Sequence, residues 1–180
     1  MPKTKDIAQK IVAGGYLLSS TKKTSESEIH LLGSGSIMQQ VLNARDLLEE
    51  KGFAVSVWSI TSYNELLRDA EQCERENRLH PFAKAVTPYI EKLFKNTSGS
   101  YVAASDYMKI FANGIAPWMP EHFTALGTDG YGLSESRADL REYFEISPDY
   151  ISHAALVGLY KLGKLDAAQL KIHMKDLKID

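Results

Sequence analysis

Cysteine is almost missing: Cys73 is the only one in 180 residues. A disulfide within the chain is excluded, and so is a zinc site built on four thiolates. A fold that leans on no disulfide suits a reducing compartment, and the cytoplasm is the expected location. Long apolar runs are missing too. No stretch of about 18 apolar residues occurs, so no membrane-spanning helix is expected. The charged start over residues 1–6 is not followed by the apolar core of a secretory leader. Charge of one sign is also lacking, with 21 basic side chains against 23 acidic ones. That balance leaves no basic footprint for nucleic acid.

What is present is an alternation of strand and helix patterns. At 180 residues and 44% hydrophobic content the chain has material for one domain with its own core. Residues 11–19 read as a strand interrupted by Gly14 and Gly15, residues 20–27 as a polar loop, and residues 28–33 as a short buried strand. Ile37, Met38, Val41, Leu42, Ala44 and Leu48 then recur at helical spacing, and Lys51-Gly52 supplies the stop. Residues 53–59 alternate as a strand does. Ser62 and Glu65 form a capping-box pattern ahead of a helix with Leu66, Leu67, Ala70 and Cys73 on one side. Its charged side is a solvated face with i,i+4 pairs such as Glu71 with Arg75. Pro88 opens a shorter helix over 88–95, and residues 100–104 read as a strand. Ser105-Asp106 suits a cap for a short helix bearing Tyr107, Met108 and Phe111. A last strand covers 122–127, and three helices cover roughly 136–145, 149–162 and 166–177. About five strands alternating with helices predict an α/β sandwich on a mostly parallel sheet. The first ten residues are expected to be loose, ahead of a single domain over 11–180.

Two glycine-rich turns follow strands. The first is Gly33, Ser34, Gly35 and Ser36. Backbone N–H groups at such a turn can cradle an anion, helped by the following helix. Met38 stands where a dinucleotide fingerprint needs its third glycine, and the next strand ends in Ser59-Ile60-Thr61 without a ribose-binding acid. The other reading is a tight turn with a serine cap. The second turn holds Asp129, Gly130, Tyr131, Gly132 and Ser134, with Arg137 just beyond. Ser134 or Ser136 can cap the next helix, and Arg137 can meet an anion. An aromatic flanked by glycines suits an interface. The five histidines, His30, His80, His122, His153 and His173, show no metal-ligand spacing. His30 and His122 fall in strands and read as structural groups. Cys73 reads as a small buried hydrophobe. No nucleophile elbow occurs. These residues by themselves support no catalytic site.

Longer strings add a resemblance. His30 to Ile37, the run Ser59-Ile60-Thr61-Ser62-Tyr63-Asn64-Glu65-Leu66, and the helix Arg68 to Arg75 resemble the third domain of homodimeric pyruvate dehydrogenases. So do Ala103-Ala104-Ser105-Asp106-Tyr107-Met108-Lys109 and the run from Leu126 through Gly127-Thr128-Asp129-Gly130-Tyr131-Gly132 to Arg137. The resemblance spans nearly the whole chain from Ile11. It implies a transketolase C-terminal-like fold: a three-layer sandwich on a five-stranded, mostly parallel sheet with one antiparallel edge. It also implies a parent several times longer and dimeric, which decarboxylates pyruvate on thiamine diphosphate and Mg²⁺ and reductively acetylates a lipoyl group on an acetyltransferase partner. In that family the cofactor lies between the first two domains, and Gly127-Thr128-Asp129-Gly130 is not its metal motif. The chain is therefore expected to be an inactive piece that supports the dimer alongside sister domains, with no cofactor of its own. Rival expectations are a stand-alone anion-binding module and a module that docks the acyltransferase component.

Overall fold

The computed structural model describes residues 5–21 and 28–179. Most of the loop expected over 20–27 lies outside the described residues. The elements, in chain order, are α1 (Lys5–Val12), β1 (Gly15–Ser20), β2 (Glu28–Gly33), α2 (Met38–Glu50), β3 (Ala54–Ile60), α3 (Tyr63–Leu79), α4 (Tyr89–Leu93), β4 (Ser100–Ala104), α5 (Lys109–Asn113), β5 (Phe123–Leu126), α6 (Arg137–Tyr143), α7 (Pro148–Lys161) and α8 (Ala167–Asp176). The five strands form one sheet in the order β1-β3-β2-β4-β5. β2 pairs in parallel with both β3 and β4, and β4 with β5. β1 is the antiparallel edge, with a register shift between Leu17 and Ser19. This is the expected mostly parallel α/β sandwich.

Alternation along the strands builds two cores. Ile29 and Leu31 of β2, Val55 and Val57 of β3, and Val102 of β4 face Val41, Ala44 and Leu48 of α2 and Ile151, Ala155 and Leu159 of α7. Leu32, Trp58, Tyr101 and Ala103 face the other way, onto Tyr63 and Leu66 of α3, Ile90 of α4 and Ala112 of α5. The central strands are buried on both faces, which is why they read as continuous apolar runs. Burying a large aliphatic side chain in either layer contributes roughly 1.5–3 kcal/mol.

Several local readings change. Ile11 and Val12 belong to α1, not to a strand, so β1 starts at Gly15. The carbonyl of Gly14 accepts from both Thr61 and Ser62 (2.9 and 3.1 Å), which fixes that turn against the start of α3. Of the first ten residues, 5–10 lie in α1. Ser62 caps α3 by accepting from Glu65 N at 3.1 Å. The glutamate does not return the favour: it takes Arg68 at 2.6 Å instead. A charged partner one turn away outcompetes a backbone N–H that water can serve. The pairs seen at the two ends of α3 are Arg68–Glu65 and His80–Glu76, not Glu71–Arg75. Cys73 is buried on α3, and burial holds its thiol above the usual range.

His30 lies inside the second core. It is 1% exposed. Its ring stacks on Tyr101 with centroids 4.5 Å apart. Trp58 Nε1 donates to His30 Nδ1 at 3.3 Å, and His30 Nε2 lies 3.2 Å from the Ser98 carbonyl oxygen. Those partners assign the proton to Nε2. The sequence expectation of a satisfied structural histidine describes this position.

Candidate functional site

The carboxyl ends of the parallel strands carry the loops that matter. β2 leads to α2 on one face of the sheet, while β3 and β4 lead to α3 and α5 on the other. In open α/β sheets such a reversal opens a crevice at the strand ends. Here it is a cavity of about 250 Å³ among Ser34, Thr61, Ser62, Asn64, Tyr107 and Phe111.

The first glycine-rich turn is packed from within. Met38 lies against Gly33: a β-carbon there would stand 2.8 Å from Met38 Cε. Ser36 Oγ donates to Asp106 Oδ2 at 2.8 Å. Gly35 adopts φ +60°, and a β-carbon on it would lie 3.0 Å from Asp106 Oδ1. An anion drawn to the turn would meet that carboxylate. Ser34 is no cap: it precedes a 3-10 turn over Gly35–Ile37 and makes no side-chain capping bond. The serine-cap reading of this turn is corrected accordingly. The turn forms because Ser34 N bonds the Ala104 carbonyl at 3.2 Å, which ends β2 against β4.

The second turn clasps the loop between β4 and α5. Thr128 N donates to the Tyr107 carbonyl at 2.9 Å, and Thr128 Oγ1 to the Asp106 carbonyl at 2.8 Å. Asp129 Oδ1 accepts from Lys109 N at 2.9 Å, and Asp129 Oδ2 lies 3.1 Å from Lys109 Nζ. These bonds hold the Asp129 carboxyl below its ordinary range, the backbone N–H first. Asp129 is thus the side-chain cap of α5 from 20 residues away. Ser105 does not cap that helix: its Oγ accepts from Tyr107 N at 3.3 Å, and the helix starts after Met108. Gly127 permits the clasp, because a β-carbon there would collide with the Tyr107 carbonyl oxygen. Of the two serines expected to cap α6, Ser136 does so, accepting from Asp139 N at 3.2 Å.

Held this way, the loops turn apolar side chains outward. Tyr107, Met108 and Phe111, expected on a short helix, are exposed, and so is Ile110. Tyr131 is 94% exposed, and Leu133 stands out beside it. The clasp sets both groups on joined loops at the carboxyl end of the sheet, and they are its apolar crescent. Gly130, Gly132, Ser134 and Arg137 are exposed as well. The structure brings Asp129 to α5 and leaves Tyr131 uncovered. The Met108–Phe111 half of the crescent was missed in sequence. Its one signal is a cluster of apolar residues at and just before a helix of five residues.

Among the described residues, no three His, Cys, Asp or Glu side chains converge to hold an ion. Both oxygens of Asp129 are already engaged by Lys109. These residues do not fit a magnesium-bound diphosphate. No helix among the described residues is long and apolar enough to cross a membrane.

Comparison with known proteins adds four findings. A family model described as the transketolase-like TK C-terminal domain matches residues 14–147. The pyruvate dehydrogenase E1 component of Pseudomonas aeruginosa is 41% identical over 158 residues, 87% of this chain and 18% of that protein. The E1 component of Escherichia coli K12 is 39% identical over 168 residues, 92% of this chain and 19% of that protein. Among solved structures, transketolase from Leishmania mexicana superposes with a TM-score of 0.59 at 14% identity, over 85% of this chain and 19% of that one. The last likeness concerns the fold alone. The chain spans about a fifth of the length of the curated relatives it matches.

Proposed function

This chain belongs to the transketolase-like C-terminal domain family, and on that premise we propose that it is the C-terminal domain of a homodimeric pyruvate dehydrogenase E1-type enzyme. In this reading the whole polypeptide decarboxylates pyruvate and passes the acetyl group to a lipoyl group on an acetyltransferase partner, in the cytoplasm. This domain does no chemistry. It supports the dimer and braces the domains that do. Thiamine diphosphate and Mg²⁺, which the family resemblance implies, belong to the polypeptide outside this chain, because the residues here do not fit them.

The observation that carries the reading is the apolar crescent. A lone exposed apolar residue is ordinary on any protein. Six large ones gathered on two stapled loops, Tyr107, Met108, Ile110, Phe111, Tyr131 and Leu133, make a patch that expects a cover. The clasp of Thr128 and Asp129 on the α5 loop keeps its Tyr107–Phe111 side pre-organised. The anion-site reading is weaker, since Met38 and Asp106 occupy the Gly33–Gly35 turn.

The test uses the full-length polypeptide with Tyr131→Ala and Gly132→Val together. Loss of one buried aromatic anchor typically costs 2 kcal/mol or more at an interface, so dimerisation should weaken about 30-fold or more. Pyruvate turnover at dilute enzyme should fall with it. Unchanged dimer mass by light scattering together with unchanged turnover would refute the interface.

A further inference from the structure

Beyond the clasp the chain runs uncovered. Residues 129–139 are exposed without a break. The seven-residue α6 has no buried residue. Among the described residues, no hydrogen bond or ion pair joins residues 130–143 to anything beyond Ile146. Leu140 N bonds back to Ser136, and Ile146 N to Arg141. The hold on the body is the ring of Phe144, which packs on the core and meets Tyr143 edge-on at 5.0 Å. A helix this short does not repay its nucleation cost in water without tertiary packing.

Yet the segment has an apolar side. Leu133, Leu140 and Tyr143 line a hollow of about 370 Å³, rimmed by Glu135 and Asp139. Gly132 adds a second sign. A β-carbon on it would meet nothing within 4 Å, and its φ lies outside the left-handed region. The fold of this chain does not need glycine there. A surface lying close over the backbone would.

We infer that residues 130–143 form a docking arm, whose helix is ordered by the remainder of the same polypeptide, an apolar surface that receives Tyr131, Leu133 and Tyr143. This rests on the function proposed above. The occupant follows from length: the chain matches only 18% of its Pseudomonas relative, so most of such a polypeptide lies outside it. A second copy of this domain fits less well. The larger apolar recess, about 520 Å³ among Ala8, Val12, Ala13 and Tyr89, lies beside α1 near the β1 edge. The arm leaves from β5, the opposite edge. Arm-to-recess contacts between copies would run head to tail instead of closing as a pair.

Hydrogen exchange read by mass spectrometry tests this. In the isolated chain at low concentration, amides of residues 131–143 should exchange within about tenfold of an unstructured peptide, while β2, β3 and β4 stay protected. In a chimera where this chain replaces the matching stretch of the Pseudomonas relative, the same amides should slow by about 100-fold or more. Strong protection in the dilute isolated chain would overturn the inference. Protection that grows with concentration of the isolated chain would overturn it too, by making the occupant a second copy. A chimera that dimerises and turns over pyruvate with a fast-exchanging arm would overturn the arm and leave the function standing. A folded chimera that does neither would take down both.

Discussion

Replacing Gly158 by alanine should destabilise the domain by about 3 kcal/mol, although helix propensity alone predicts a gain of about 1. Gly158 sits inside α7, among Ile151, Ala155, Leu156 and Leu159, and presses on β4. A β-carbon there would collide with Ser100 Oγ and lie 2.8 Å from Ser100 Cβ. Ser100 is fully buried, so its hydroxyl has nowhere to retreat. His122 Cδ2, at 2.9 Å, closes the other side. The helix must therefore lift from the sheet and break contacts of Ile151, Ala155, Leu156 and Leu159 in the core it shares with α2. Steric cost wins because close-packed interiors do not yield by several tenths of an ångström cheaply. Urea unfolding should show a lower midpoint with an unchanged slope. Adding Ser100→Gly should restore part of the loss, since the two positions are in contact and their effects should not add. A Gly158→Ala protein as stable as the parent chain would show that α7 does not approach β4 so closely.

Acid should unfold the domain early, through His30. Burial lowers its pKa to about 4, against the help of the Ser98 carbonyl and Glu121, while Lys164 adds to the lowering. Glu28 Oε2, only 3.5 Å away, favours the charged ring but is 41% exposed, and burial wins. An unfolded histidine takes its proton near pH 6.5. Between that pH and 4 the unfolded state therefore binds more protons than the folded one. Stability is full above pH 6.5 and falls as pH drops, by about 3 kcal/mol at pH 4 from this group. Protonating Nδ1 would also set an N–H against Trp58 Nε1, which now donates to it. His30→Gln keeps an acceptor for Trp58 and a donor for Ser98 but does not titrate. Its stability should lose most of the slope between pH 6.5 and 4. An unchanged slope would put the acid sensitivity elsewhere.

Much of the fold was legible because its strands are short apolar runs punctuated by glycine, and its helices carry stop signals such as Lys51-Gly52 and Leu79-His80-Pro81. What escaped was non-local. Nothing near Lys109 announces that Asp129 will cap its helix. Nothing near Gly33 says that Met38 will fold back over it. Ile11 and Val12 have strand propensity, but they complete a turn of α1 that packs on β1. Both glycine-rich turns stood out at once, yet they do opposite things. One is filled by its own chain, and the other leaves Tyr131 in the open. Spacing alone cannot separate a turn that hosts a ligand from one that hosts Asp106.

The central claim is that this domain braces a thiamine-diphosphate enzyme without holding its cofactor. Calorimetric titration of thiamine diphosphate with Mg²⁺ into the purified chain tests it most directly. No binding heat is expected at any concentration below about 1 mM, a threshold equivalent to roughly −4 kcal/mol. Micromolar binding would contradict it and place a cofactor site within these residues.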